Sequence, residues 1–263
     1  MNRAGKGGVI SSIHNEKVKL ARSLLTRKGR WKNKLFLVEG VRIIKEAIGA
    51  GFKPIFVLHS EDFNHKEVFS LEDVACYRVT EAIIKAVSST VTPQGIVAVF
   101  PFPQLPLPEN WRLSVVLDGV QNPENVGAVM RTATAAGVDF IAMTPGSADP
   151  FNPKAVRAGM GAHFYMPIKP NAPWEELRAL FQGKQILLAD PQGAVPYFAV
   201  DWTKPSVLII GGEARGATTE ARRLAQEVIS IPMVRPIESL NAAVAAGIIL
   251  YEAFRQRSFS RPS

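Results

Sequence analysis

The chain of 263 residues holds a single cysteine, Cys76, so no intrachain disulfide can form and a reducing compartment is expected. Its histidines, His14, His59, His65 and His163, are scattered, and with one cysteine they offer no zinc-ligand spacing, so no metal is expected. No apolar run reaches the roughly 18 residues needed to span a membrane. The start, MNRAGKGGVISSIHNEKVKLA, lacks a long apolar segment and a small-residue cleavage site, which argues against a secretory signal. It is also basic and poor in acids, so a mitochondrial presequence stays open beside the expected cytoplasmic location. Acid is scarce over residues 1–34: Glu16 stands alone against Arg3, Lys6, Lys17, Lys19, Arg22, Arg27, Lys28, Arg30, Lys32 and Lys34.

What is present is a large apolar fraction, 47%, and a net charge of +8. A sizeable core is therefore expected. The segment VKLARSLLTRKGRWKNK mixes apolar residues at helical spacing with bases. It reads as a phosphate-binding helix and loop, or as a solvated amphipathic helix docked on the body. The lack of compensating acids favours an anionic polymer, with Arg22, Arg27, Lys28 and Arg30 as contacts.

Residues 100–111, FPFPQLPLPENW, are too rich in proline for a helix or a central strand and predict an extended linker, with 105–111 taken as the stretch between the domains. Residues 1–104 then form a basic extension and a small α/β domain, and 112–263 a larger domain. Before the linker, KLFLVEG, PIFVLHS, ACYRVT and GIVAVF read as strands. VRIIKEAIGAG, EDFNHKEVFSLED and EAIIKAVSS read as helices. After it, RLSVVLDGV, VDFIAMT, FYMPI, KQILLAD, PSVLIIGG and VISIPM read as extended. ENVGAVMRTATAAG, NPKAVRAGMGA, PWEELRALFQ, ATTEARRLAQE and SLNAAVAAGIILYEAFRQR read as helical. Short apolar strands without clean alternation imply a mostly parallel sheet covered on both faces.

Ligands of open parallel sheets bind beyond the carboxyl ends of the strands. Three loops fall there: LDGVQNPENVGAVMR, LIIGGEARG and ISIPMVRPIESLN. In the first, Asn125 is a candidate helix cap, Gly127 allows close approach, and Arg131 stands at the edge of an apolar stripe formed by Val126, Val129, Met130 and Ala133. Such an arginine could grip a phosphate or carboxylate, or simply face solvent. In the second, Gly211 and Gly212 would let a ligand touch backbone beside Glu213. No Gly-Lys-Ser/Thr follows, and no GxGxxG occurs, so neither a phosphate loop nor a nicotinamide oxidoreductase is indicated. In the third, Ser239 is a candidate cap and Asn241 falls in the first turn of the last helix.

NVGAVMR (125–131), GGEARG (211–216), ISIPM (229–233) and SLN (239–241), in this order, resemble the motifs of the SpoU family of RNA ribose 2′-O-methyltransferases, within the SPOUT class. FLVEGVRIIKEA and SSTVTPQGIVAV resemble the α/β substrate-binding domain attached to many members. The resemblance implies a C-terminal trefoil knot, a homodimer through the methyltransferase domain, and bent S-adenosylmethionine in the knotted loops. Gly211, Gly212, Ile231, Met233 and Leu240 would contact that cofactor. The acceptor would be a ribose 2′-OH. Arg131 would stabilise the developing alkoxide and grip the adjacent phosphate. Asn125 and Asn241 would orient these groups, Ser239 would bond nearby, and Glu213 would hold the arginine or the ribose. Arg157, in NPKAVRAGMGA, is a further candidate for an RNA phosphate. The basic N-terminal part favours ribosomal over transfer RNA. A noncatalytic RNA-binding protein on the same scaffold is the other reading.

Overall fold

The computed structural model describes residues 9–63, 74–235 and 238–259. Most of the helix expected over 61–73, together with Arg3, Lys6, His65 and Pro236, lies outside the described residues. The chain divides into two compact units, Met1–Pro103 with Phe151–Phe164, and Gln104–Pro150 with Tyr165–Ser263.

The first unit is built on a four-stranded sheet. Its strands are β1 (Leu35–Glu39), β2 (Phe56–Ser60), β3 (Cys76–Val79) and β4 (Ile96–Pro101), in the order β1-β4-β2-β3. β4 runs antiparallel to both neighbours, and β2 is parallel to β3. Two helices, α1 (Glu16–Ser23) and α4 (Glu81–Val87), set Val18, Ala21, Ile83, Ile84 and Val87 against Leu37, Leu58, Val97 and Val99. α2 (Arg27–Asn33) and α3 (Val41–Gly49) complete this stretch.

Residues 151–164, placed with the C-terminal domain by the sequence pattern, pack instead in this first unit. They contain α6 (Pro153–Gly159) and a 3-10 turn over Ala162–Phe164. Aromatic rings hold them there. Phe36 lies 5.2 Å from Phe151, Phe100 lies 5.2 Å from Phe164, and Phe102 stacks on Phe151 at 3.8 Å. Each such pair adds about 0.5–1.5 kcal/mol beyond area burial. Phe102, read as linker, is thus a core residue, while Phe100, where the strand GIVAVF and the linker reading overlap, belongs to β4.

The second unit is a seven-stranded sheet in the order β7-β6-β5-β10-β8-β11-β9. Its strands are β5 (Leu113–Asp118), β6 (Phe140–Met143), β7 (Ile168–Lys169), β8 (Gln185–Ala189), β9 (Val195–Pro196), β10 (Ser206–Gly211) and β11 (Glu227–Ser230). Every strand pair is parallel. β5 is buried throughout and β10 nearly so, as a sheet with both faces covered requires. α7 (Trp174–Leu180) and α8 (Thr219–Leu224) bury Leu177 and Ala221 against Val116, Leu188 and Ile209. α5 (Pro123–Ala135) packs against the long α9 (Ala242–Phe259), which also meets β10. The expected fold class holds, with β9 added and β7 reduced to two residues.

Candidate active site

Two caps differ from expectation. Asn122, and not Asn125, caps α5: its side chain accepts from the Glu124 N–H, with Pro123 at the first helical position. Proline fits there because it lacks an N–H that would be unsatisfied anyway. At α9, Asn241 is the cap, accepting from Ala243 N at 2.9 Å and Val244 N at 3.3 Å. Ser239 is exposed, and its hydroxyl has no hydrogen bond among the described residues.

These shifts free Asn125 for another task. It sits in the first turn of α5, 7% exposed, beneath the loop that follows β10. Its Nδ2 donates to Glu213 Oε1 at 2.5 Å, and its Oδ1 accepts from Asn241 Nδ2 at 3.0 Å. Asn241, Asn125 and Glu213 thus form one hydrogen-bonded chain joining all three loops. A carboxylate acceptor makes the Glu213 contact the stronger of the two bonds.

The loop after β10 is tightly wound. Gly216, at φ 65°, donates from its N–H to Gly212 O at 2.9 Å. A Cβ on Gly211 would lie 2.5 Å from Ala217 N, and one on Gly212 would lie 2.4 Å from Gly119 O. Neither position admits a side chain. Ile231, Met233 and Leu240 are half-buried near the third motif. Glycine backbone beside partial apolar cover suits a nucleoside-bearing cofactor: the backbone satisfies polar edges and the apolar side chains cover a ring.

Arg131 lies on α5, exposed, with no hydrogen bond or ion pair to any described residue. Val126, Val129, Met130 and Ala133 of the same helix are all fully buried. Its charge is therefore available to a ligand, and Glu213 is taken by Asn125 instead of holding this arginine.

The sequence reading missed Asp118, Thr144 and Thr218. Asp118 ends β5 in register with Gly211 and is fully buried. Its Oδ1 accepts from Thr144 Oγ1 at 2.9 Å and its Oδ2 from Thr218 N at 2.6 Å. An acid closing an apolar strand at the carboxyl edge was the available signal. Asp190, just beyond β8, was missed too. Burial pushes its carboxyl pKa upward, but the Gln192 N–H and the Arg222 guanidinium at 2.7 Å outweigh that and hold it below its ordinary value.

Of the basic candidates, Arg22, Arg27 and Lys28 are exposed on α1 and α2. Arg157 is half-buried on α6, within the first unit, and donates to Ser89 Oγ at 3.2 Å. Arg30 corrects the sequence reading. It is 1% exposed, and its Nη1 donates to Leu24 O at 2.8 Å and Leu25 O at 3.0 Å. These carbonyls end α1, where a cation is favoured and acceptors lack helical partners. Arg30 is thus a brace inside the α1–α2 corner and does not present itself to a phosphate. Arg30→Ala is expected to lower the unfolding free energy by about 3 kcal/mol. Chemical denaturation measures this; a change under about 0.5 kcal/mol would contradict the brace.

Residues 112–251 match the model of the SpoU rRNA Methylase family, and residues 15–98 that of the MRM3-like substrate binding domain. The chain is 34% identical over 246 residues to the 23S rRNA (guanosine(2553)-2′-O)-methyltransferase RlmP of Bacillus subtilis, covering 92% of this chain and 97% of that one. It is 31% identical over 291 residues to the mitochondrial rRNA methyltransferase 3 of Mus musculus, covering 88% of this chain and 70% of that one. The SpoU methyltransferase AviRb from Streptomyces viridochromogenes, solved in complex with AdoMet, superposes with a TM-score of 0.84 at 29% identity, covering 94% of this chain and all (100%) of that one.

The parallel sheet, the three loops at its carboxyl edge and these likenesses define an RNA 2′-O-methyltransferase that uses S-adenosylmethionine. The chain belongs to the SpoU rRNA Methylase family.

Proposed function

We propose that the enzyme methylates the 2′-OH of one ribose in ribosomal RNA. The observation that carries this reading is the Asn241–Asn125–Glu213 chain, which ties the three loops into one site. Gly211, Gly212, Ile231, Met233 and Leu240 would hold S-adenosylmethionine, which when bound supplies an activated methyl group. The protein contributes orientation and electrostatics.

The 2′-OH would lose its proton to water as its oxygen attacks the methyl carbon, the methyl–sulfur bond breaking and the neutral thioether leaving, and negative charge would gather on that oxygen. A fixed positive charge stabilises that oxygen most where it develops. Arg131 supplies the charge and can grip the neighbouring phosphate with its planar fork. A guanidinium with a pKa above about 12 does not act as a base near neutrality. Asn125 and Asn241 keep Glu213 and the loop in place, and Ser239, with no hydrogen bond among the described residues, offers a hydroxyl to the ribose or cofactor.

Arg22, Arg27 and Lys28 would meet RNA phosphates, with Arg157 as a further contact. Replacing the first three by alanine is expected to weaken ribosomal RNA binding and flatten its log–log salt slope by about 2–3, leaving the melting temperature unchanged. Filter binding across a salt series measures this, and an unaltered slope would contradict it. The reading includes a homodimer through α9, where Val244 and Tyr251 are exposed, and the family's trefoil knot. β10 lying between β5 and β8, and β11 between β8 and β9, are consistent with that threading. The single half-buried Cys76 suits a reducing compartment, and the reading takes this to be the cytoplasm. Among the described residues no helix is long and apolar enough to cross a membrane.

The test is transfer of labelled methyl from S-adenosylmethionine to ribosomal and transfer RNA in parallel. Label in ribosomal RNA is expected; label confined to transfer RNA would overturn the substrate.

A further inference from the structure

Three hydrogen bonds staple the loop after β10 to the end of β5 and the start of α5. At its start, Gly212 N donates to Asp118 O at 2.9 Å. In its middle, Glu213 accepts from Asn125 at 2.5 Å. At its end, Thr218 N donates to Asp118 Oδ2 at 2.6 Å. Asp118 makes two of the three. Its other carboxylate oxygen accepts from Thr144 at the end of β6, and Thr144 Oγ1 and Ser147 Oγ both accept from Gly119 N at 3.1 Å. One fully buried carboxylate therefore fixes the exits of three neighbouring strands.

A buried carboxylate is costly unless its oxygens are bonded, so its presence here calls for a reason. Both partners are donors. Thr218 offers a backbone N–H, and Thr144, whose oxygen already takes Gly119 N, offers its hydroxyl proton. Only a carboxylate presents two acceptors at once; an amide would turn a donor toward one of them. Thr218 also caps α8, its Oγ1 accepting from Ala221 N at 3.2 Å, so the anchored residue sets where the loop ends and the helix begins.

We propose that Asp118 is a positioning residue for the cofactor: it clamps residues 211–218 in the shape that presents the Gly211 and Gly212 backbone to S-adenosylmethionine. The proposal rests on the assignment of that loop to the cofactor. Asp118 touches no reacting atom and acts through Thr218 and Gly212.

The test compares wild type, Asp118→Asn and Thr144→Val by calorimetry with S-adenosylmethionine, RNA filter binding, and amide hydrogen exchange over 211–218. Cofactor affinity is expected to fall about tenfold in D118N and about threefold in T144V. RNA affinity should stay unchanged, and exchange should quicken at Thr218 and the loop but not in β8. General loss of structure would instead lower both affinities and loosen β8. Wild-type cofactor affinity in a folded D118N, or unaltered exchange at Thr218, overturns the proposal. If D118N does not fold, T144V, which keeps the carboxylate and deletes one donor, decides it by the same readouts. A wild type that binds no cofactor sinks the loop assignment and this proposal together, whereas equal binding by wild type and variants sinks the proposal alone.

Discussion

Arg131→Ala is expected to lower the rate of methyl transfer by about two to three orders of magnitude while leaving S-adenosylmethionine affinity unchanged. The side chain is exposed and makes no bond within the protein among the described residues, so its removal costs the fold little. Its loss takes away the charge that would face the developing alkoxide. Arg131→Lys should recover part of the rate, because it keeps a cation but not the planar fork. Single-turnover kinetics with saturating cofactor and RNA measure the chemical step. A rate within about threefold of wild type in R131A would remove Arg131 from the mechanism.

Gly211→Ala is expected to weaken cofactor binding by about ten- to a hundredfold, the equivalent of about 1–3 kcal/mol of overpacking. The added methyl would press on the peptide group between Gly216 and Ala217, with Ala217 N at 2.5 Å and Gly216 C at 2.6 Å. No flexible side chain is there to yield, so the loop itself must open. RNA affinity should not change, since Arg22, Arg27, Lys28, Arg131 and Arg157, the residues proposed to meet RNA phosphates, stand on α1, α2, α5 and α6. Calorimetry with S-adenosylmethionine reads the effect, and unchanged affinity would show that the loop shape does not govern cofactor binding.

The elements most legible from the chain were those with strong local patterns. RLSVVLDGV and PSVLIIGG became the adjacent central strands β5 and β10, and the alanine-rich SLNAAVAAGIILYEAF became α9. The three motifs did converge, through Asn125, Glu213 and Asn241. What was misread was finer. Asn122 and Asn125 are both good caps, but Pro123 at the first helical position marks the residue before it as the cap. Likewise Asn241 is the last polar residue before the run of alanines, which makes it a better cap than Ser239.

Other features depend on contacts far apart in sequence, where local pattern is silent. NPKAVRAGMGA announces a helix, but it takes Phe36, Phe100 and Phe102 in the folded chain to explain why that helix packs in the first unit. A run of bases announces charge; it cannot say that Arg30 turns inward to brace the α1 carbonyls while Arg27 and Lys28 face outward. The role of Asp118 emerges only when β5, β6 and β10 are neighbours.

The most direct test of the central claim is the chemical identity of the product. Purified protein is incubated with methyl-labelled S-adenosylmethionine and ribosomal RNA, the RNA is digested to nucleosides, and the labelled species are separated by mass. The account predicts label on one 2′-O-methylnucleoside, appearing about two to three orders of magnitude more slowly in Arg131→Ala. Label on a base, or no label in RNA from a folded, cofactor-binding protein, would contradict it.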